Sequence, residues 1–323
     1  MISAKSERDV HSPASGERSA HPEPATSVRV TVPASTANLG SGFDTLGMAL
    51  SLYDTVEVEV VEGRPGTARV QVRGQGTGAV PADENHLVVR MLQRVLAGLG
   101  ATAPALRVRC HNTIPHSRGL GSSAAAIVAG ITAGYTLAGR TVASPECAAD
   151  VLQMAASCEG HGDNAAASLY GGLVIAWSEG DSFRATRLEP HADLRPVALV
   201  PAAESATHTT RGLLPQNVPH ADAAFAASRA ALAVHALTGD PDLLVDATGD
   251  RLHQDYREPA WPETIALVRC LRAAGVAAAV SGAGPTVLAF PPGGELPAGV
   301  DTAGFDVLRL PVDRAGVRVD HLS

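Results

Sequence analysis

The period of the apolar positions changes several times along the chain, and each change marks an element. Val28, Val30 and Val32 alternate with polar residues, which predicts a strand over 28–33. The same two-residue period returns over 55–62 and 68–73, read as two strands paired with each other. Between 84 and 99, Leu87, Val88, Met91, Leu92, Val95 and Leu96 recur at helical spacing, and Gly100 is placed to end that helix. Residues 106–113 read as a strand, and an Ala-rich helix is expected from Ser122 or Ser123. Ser144-Pro145-Glu146 combines a capping side chain, a first-turn proline and an acid, and predicts a helix to about Cys158. A strand over 173–177 follows. Beyond about Glu189 the pattern predicts a strand at 196–200, helices at 222–237, 242–257 and 262–274, a strand–glycine turn–strand over 276–290, and a last strand at 308–311. The residues up to about 27 are rich in Ser, Glu, His and Pro without periodicity, and read as a disordered extension.

Composition narrows the partners. The 323 residues, 45% of them hydrophobic and 18% charged, suffice for one large or two modest domains. A formal net charge of −8 and 3% aromatic residues argue against nucleic acid as the main partner. An anionic ligand would therefore need a local basic site. Cys110, Cys147, Cys158 and Cys270 have no zinc-like spacing and read as reduced thiols of a cytoplasmic protein. No stretch reads as a membrane span or a signal peptide.

The chemistry concentrates in Ile114-Pro-His-Ser-Arg-Gly-Leu-Gly-Ser-Ser-Ala-Ala125. Gly119 and Gly121 allow close approach of the backbone to a ligand, and the helix behind them offers unpaired N–H groups to a polyphosphate. The serines are read as helix caps, with one hydroxyl free to reach a phosphate-bound Mg²⁺. No lysine follows Gly121, so this is not the common P-loop. Pro33–Leu50 is expected to be a tight, exposed loop in which Asn38 and Asp44, each taken alone, are turn formers. Glu159-Gly-His161-Gly-Asp163-Asn164 reads as a helix end followed by a new helical turn.

Taken in order, the stretches 33–50, 115–125 and 281–286 resemble the three motifs of the GHMP kinases, over nearly all of the chain from Val28. Within that superfamily the segments Pro33–Gly47, His161-Gly-Asp163-Asn164, Thr207-x-x-x-Arg211 and Gln254-x-Tyr256-Arg257 are similar to the homoserine kinase branch. Ser41 stands where proline is more usual. The resemblance implies an α+β fold of two domains, at 28–190 and 191–323, the second ferredoxin-like. It implies transfer of phosphate from ATP to the hydroxyl of L-homoserine, in threonine biosynthesis, by a cytoplasmic homodimer.

The same resemblance implies residue roles. Pro115, His116, Ser117, Arg118, Gly119, Leu120, Gly121, Ser122, Ser123, Ala124 and Ala125 would hold the nucleotide, with Gly282 and Gly284 closing the phosphate end. Ser123 (or Ser122) and Glu159 would hold Mg²⁺. Asn38, Asp44, His161, Asn164, Arg211 and Arg257 would bind homoserine, its carboxylate on the arginines and its ammonium on Asp44. Asp163, His161 or no residue at all would act as base, since a loose phosphoryl-transfer transition state needs little help. Another small-molecule kinase of the superfamily, acting on threonine, shikimate, pantoate or mevalonate, and a non-catalytic module of the same fold are the alternatives.

Overall fold

The computed structural model describes residues 25–204 and 210–322, so the expected disorder before residue 25 and the position of Thr207 lie outside the described residues. The valines of β1 (Ser27–Asn38) are all buried, as their alternation requires. The strand then continues beyond the alternating part. From Pro33 to Asn38 every residue is buried, because β1 here passes under the helices that cover the sheet. This corrects the expectation of an exposed loop over 33–50. Ala34, Ser35, Thr36 and Ala37 are small because a helix lies on them, and the turn itself is confined to the residues between Asn38 and β2 (Gly42–Val61).

β2 is 20 residues long and forms the spine of the first sheet. It pairs antiparallel with β1 on one side and with β4 (Ala105–Asn112) on the other. β3 (Ala68–Gly74) pairs parallel with β4 and not with β2, contrary to the expected 55–62/68–73 pairing. Alternation gives each strand its buried face but does not name its neighbour. The connection from β3 to β4 carries α1 (Leu87–Gly98), as a parallel crossover requires. β5 (Leu173–Glu179) joins β2, and β6 (Ser182–Leu188) pairs with β5 at the edge. Helices α2 (Ser122–Leu137), α3 (Pro145–Glu159) and α4 (Asp163–Tyr170) pack with α1 on the sheet. From Ala124 to Leu137 every residue of α2 except Ala126 is buried, which explains why its sequence lacks a charged face. Ser144 caps α3 by accepting from Cys147 N at 3.1 Å.

The second sheet follows β7 (Val197–Pro201) and α5 (His220–Thr238). A helical turn, α6 (Leu244–Ala247), precedes α7 (Pro262–Ala273), β8 (Ala277–Val280), β9 (Val287–Phe290) and β10 (Phe305–Arg309). The order is β10-β7-β9-β8, all antiparallel, which is the ferredoxin-like order. The helix expected over 242–257 is broken. After Ala247 the Asp250 carboxylate accepts from the N–H groups of Leu252, His253 and Gln254, so a side chain takes the donors that a helix would send to its own carbonyls.

The chain then returns to the first sheet, where β11 (Arg318–His321) pairs with β1. Asp313 secures this return. Its main chain bonds Ala49 O and Gly172 N, and its buried carboxylate accepts from Ala315 N, Gly316 N, the Tyr53 hydroxyl and Arg318. Asp313→Ala strands those donors and should cost roughly 2–4 kcal/mol, read as a lower denaturant midpoint at unchanged slope.

Candidate active site

The loop that leaves β4 is fixed before it turns. The Asp54 carboxylate accepts from Thr113 N at 2.7 Å and Ile114 N at 2.9 Å. Gly121 then takes φ 70°, and a Cβ there would lie 2.0 Å from Ser35 Oγ. Gly119 takes φ 78°, and its Cβ would lie 2.3 Å from Ser281 O. Neither site has room for a side chain, nor a backbone that favours one. Gly121 is itself the cap of α2, and no side chain bonds the first N–H groups of that helix. This corrects the reading of Ser122 and Ser123 as caps: both lie inside the helix. The left-handed glycine supplies the turn, and the N–H groups are left for an anion.

A cavity of about 420 Å³ opens at this helix start, between the two sheets. Ser117, Arg118, Gly119, Gly121, Ser122 and Ser123 line it, and Gly282 and Gly284 face them from the β8–β9 turn. Pro115, His116, Leu120, Ala124 and Ala125 do not line it. Leu120, Ala124 and Ala125 are core residues, and Leu120 contributes its carbonyl to Ser35 N. The Arg118 guanidinium bonds His116 O, Pro201 O and Ala202 O, which ties the loop to the end of β7.

Glu159, at the end of α3, also lines the cavity. Its Oε2 is buried with no hydrogen-bond partner. Burial raises its pKa, against the nearby His161 charge and a hydrogen bond from Ser123. A desolvated carboxylate oxygen without a donor beside a serine hydroxyl suits a cation. Among the described residues no three His, Cys, Asp or Glu side chains converge. One carboxylate and one hydroxyl are a sparse donor set, of the kind that could hold a Mg²⁺ whose other ligands are water and phosphate.

The other part of the cavity is charged. Ala37 pairs with Gly47, whereas Asn38 pairs with Gly42. The residues 43–46 are thereby looped out of the ladder, and Phe43 and Asp44 line the cavity. Asn38 holds this excursion. Its Oδ1 accepts from Asp44 N at 3.0 Å and its Nδ2 donates to Gly282 O at 2.8 Å. Asp44 receives both Arg211 Nη atoms, at 3.0 and 2.6 Å. The guanidinium carbons of Arg211 and Arg257 lie 5.6 and 5.9 Å from the Phe43 ring centre. Arg257 is buried, and burial with the neighbouring Arg211 charge lowers its pKa to about 10, so it is still a cation at neutral pH.

The N-terminal and C-terminal GHMP kinase family models match residues 86–172 and 229–299. A homoserine kinase of Streptomyces coelicolor is 48% identical over 93% of this chain and 96% of its own length. That of Rhodococcus erythropolis is 52% identical over 82% of this chain and 86% of its own. The crystal structure of homoserine kinase from Cytophaga hutchinsonii superposes with a TM-score of 0.77 at 25% identity, over 96% of this chain and all of that one. The chain belongs to the homoserine kinase family of GHMP kinases. A mevalonate kinase structure from L. major, at TM-score 0.61 and 17% identity, shares the fold.

As a member of this family the chain is a kinase, and the His161-Gly-Asp163-Asn164 stretch acquires a setting. Asp163 is buried at the start of α4, where its Oδ1 accepts from His161 Nδ1 at 2.7 Å and from Asn164 N at 2.8 Å. Burial opposes a charge on His161. The Asp163 hydrogen bond and the charges of Asp163, Glu159 and Asp44 outweigh it and push the pKa to about 9. The imidazole is thus an imidazolium at neutral pH, already holding the proton that a base would have to take up. Asn164 Oδ1 accepts from Ser35 Oγ at 3.0 Å.

Phe43 lines the cavity, Ser35 bonds Asn164 and His253 stacks on Phe43, and the sequence singles out none of the three. Ser35 and Phe43 lie inside the first motif, and His253 stands one helical turn before Arg257, which is the only signal for it. No described helix is long and apolar enough to cross a membrane.

The raised pKa of His161 fixes the sign of a pH effect. Its pairing with Asp163 contributes fully below the unfolded value of 6.5 and is lost as pH rises through about 9. Wild type should therefore lose stability between those limits relative to His161→Gln, measured by denaturant unfolding across pH. A difference that stays flat over that range would remove the imidazolium.

Proposed function

We propose that this kinase transfers the γ-phosphoryl group of ATP to the hydroxyl of L-homoserine, giving O-phospho-L-homoserine. The observation that carries the reading is the Asp44–Arg211 pair with Arg257 beside it, in the same cavity as the bare N-terminus of α2. Homoserine is a zwitterion bearing a primary hydroxyl. Its carboxylate can take up the guanidinium donors while its ammonium takes Asp44, so it enters the ion pair without leaving either charge uncompensated. The identity of the curated relatives supports the same acceptor.

The mechanism needs mainly placement. The Gly119–Ser123 backbone and the start of α2 would hold the triphosphate, and Ser281–Gly284 would close over it. Glu159 and Ser123 would hold Mg²⁺, which when bound neutralises the phosphate charge. His161, cationic and oriented by Asp163, and Asn164, oriented by Ser35, would hold the acceptor with its hydroxyl toward the phosphate. Asp163 and His161 already share a proton, and no separate base is required in a loose transition state. The reading also includes a cytoplasmic homodimer and a division of the chain near residue 190, with residues 311–322 returned to the first sheet.

A coupled ADP-release assay across homoserine, threonine, shikimate, pantoate and mevalonate tests the acceptor. Turnover should be greatest with homoserine, and turnover confined to another acceptor would overturn the reading. Glu159→Gln should keep the fold and lose most of kcat, partly restored by higher Mg²⁺. Arg211→Lys replaces a fork with a point charge, and should raise the homoserine KM roughly ten- to hundredfold while leaving the ATP KM near wild type.

A further inference from the structure

Arg257 enters the cavity from an irregular segment of the second unit, where nothing in the backbone pattern fixes a long side chain. Its Nη1 lies 2.7 Å from His253 Nδ1 and 3.2 Å from Gly282 O, and its buried Nε has no partner. His253 is wholly buried. Its Nε2 lies 2.7 Å from Gly40 O, in the turn between β1 and β2, and its ring stacks on Phe43 with centroids 5.1 Å apart.

Two of these contacts fix the proton of His253. A guanidinium only donates, so Nδ1 must accept and carry no hydrogen. A carbonyl only accepts, so Nε2 must carry the hydrogen and donate to Gly40 O. The ring is therefore a neutral imidazole in one tautomer, donating to the first unit and accepting from the arginine. An imidazolium would set an N–H against the Arg257 N–H. Burial, with the Arg257 charge, holds the ring below its ordinary pKa against the carboxylates of Asp250 and Asp44. Asp250 lies beside the same Nε2: its Oδ1 is 3.6 Å from that nitrogen, and its Oδ2 accepts from His253 N at 3.0 Å.

We propose that His253 is a positioning residue for the acceptor site: through its Nε2–H tautomer it ties the 38–42 turn to Arg257 and sets where that guanidinium presents its charge. The inference deepens the homoserine reading and rests on it for the substrate. It makes a distinction that burial alone does not. A residue needed only for packing would affect both substrates through loss of fold, whereas this one should act on the acceptor alone.

The test uses the full-length enzyme with three substitutions. His253→Asn keeps an acceptor near the Nδ1 position. His253→Gln keeps a donor toward Gly40 and removes the acceptor for Arg257. His253→Ala removes both. In all three variants the homoserine KM should rise, about tenfold or more in Gln and Ala and less in Asn, which keeps the acceptor for Arg257 but loses the donor to Gly40, with the ATP KM within about twofold throughout. An unchanged homoserine KM in Gln and Ala, or equal losses for both substrates in all variants, overturns the proposal. A second readout needs no acceptor: the ¹⁵N spectrum of the His253 imidazole should show a neutral ring protonated at Nε2, and Arg257→Met should release that preference. A proton on Nδ1, or a ring indifferent to Arg257→Met, overturns the proposal whether or not homoserine is turned over. An enzyme that ignores homoserine but shows the locked tautomer would defeat the substrate reading and leave the positioning role standing.

Discussion

The site depends on three backbone segments approaching one another more closely than side chains permit. The end of β1, the loop before α2 and the β8–β9 turn are bonded through Ser35 N to Leu120 O, Gly282 N to Ala37 O, and Thr286 N to Arg118 O. Ser281 Oγ completes the seam on Gly119 O. Gly119 and Gly121 lie where these segments meet, and the missing Cβ atoms are what let carbonyls and hydroxyls fill the space. The cradle proposed for the phosphates belongs to no single element. The first unit supplies the helix N-terminus, the second supplies the turn over it, and the sheet beneath holds both at hydrogen-bond distance.

The same seam explains how a chain of net charge −8 offers a site to an anion. Arg211 and Arg257 come to one cavity from the second unit, where Asp44 and Phe43 of the first meet them. Arg211 is held by Asp44, Arg257 by His253, and both guanidiniums lie near the face of Phe43. Arg257 shows how far this goes. Burying it carries a desolvation penalty, yet its Nε has no protein partner. Two like charges near one ring repel, and a carboxylate between them would relieve that repulsion. The protein thus holds in advance, at some cost to its own stability, the charges that the proposed acceptor site would use.

Much of this was legible in the residues, for reasons that differ by position. The glycine loop and the helix behind it were readable because glycine and an Ala-rich helix start have local causes. Most strands and helices were readable because alternation and helical spacing are local too, whereas the division into two α+β units rested on the family resemblance. The pairing of β3 with β4 was not, since a two-residue period fixes a face and leaves the neighbour open. The buried run from Pro33 to Asn38 looked like a loop because small polar residues favour turns in isolation, and only the helices over it make them a strand. The break after Ala247 depended on one carboxylate capturing its own backbone, which composition does not announce. His253 was invisible for a further reason. Its role is defined by an acceptor and a donor that it meets only in the fold.

The assignment of roles around His161 follows from which groups already have their protons and partners. Asp163 carries two donors on one oxygen, one of them the imidazole. Its carboxylate is therefore engaged in keeping His161 charged, and taking a hydroxyl proton would weaken that bond. His161, cationic at neutral pH, donates rather than accepts. Asn164 is held by Ser35, directly beneath the Gly121 turn, so the acceptor side and the phosphate side share one anchor. What the geometry supplies is fixed donors and fixed charge where the proposed reading puts a hydroxyl and a phosphoryl group. In a transition state where bond breaking runs ahead of bond making, the alcohol keeps its proton until late, and orientation contributes more than a strong base would.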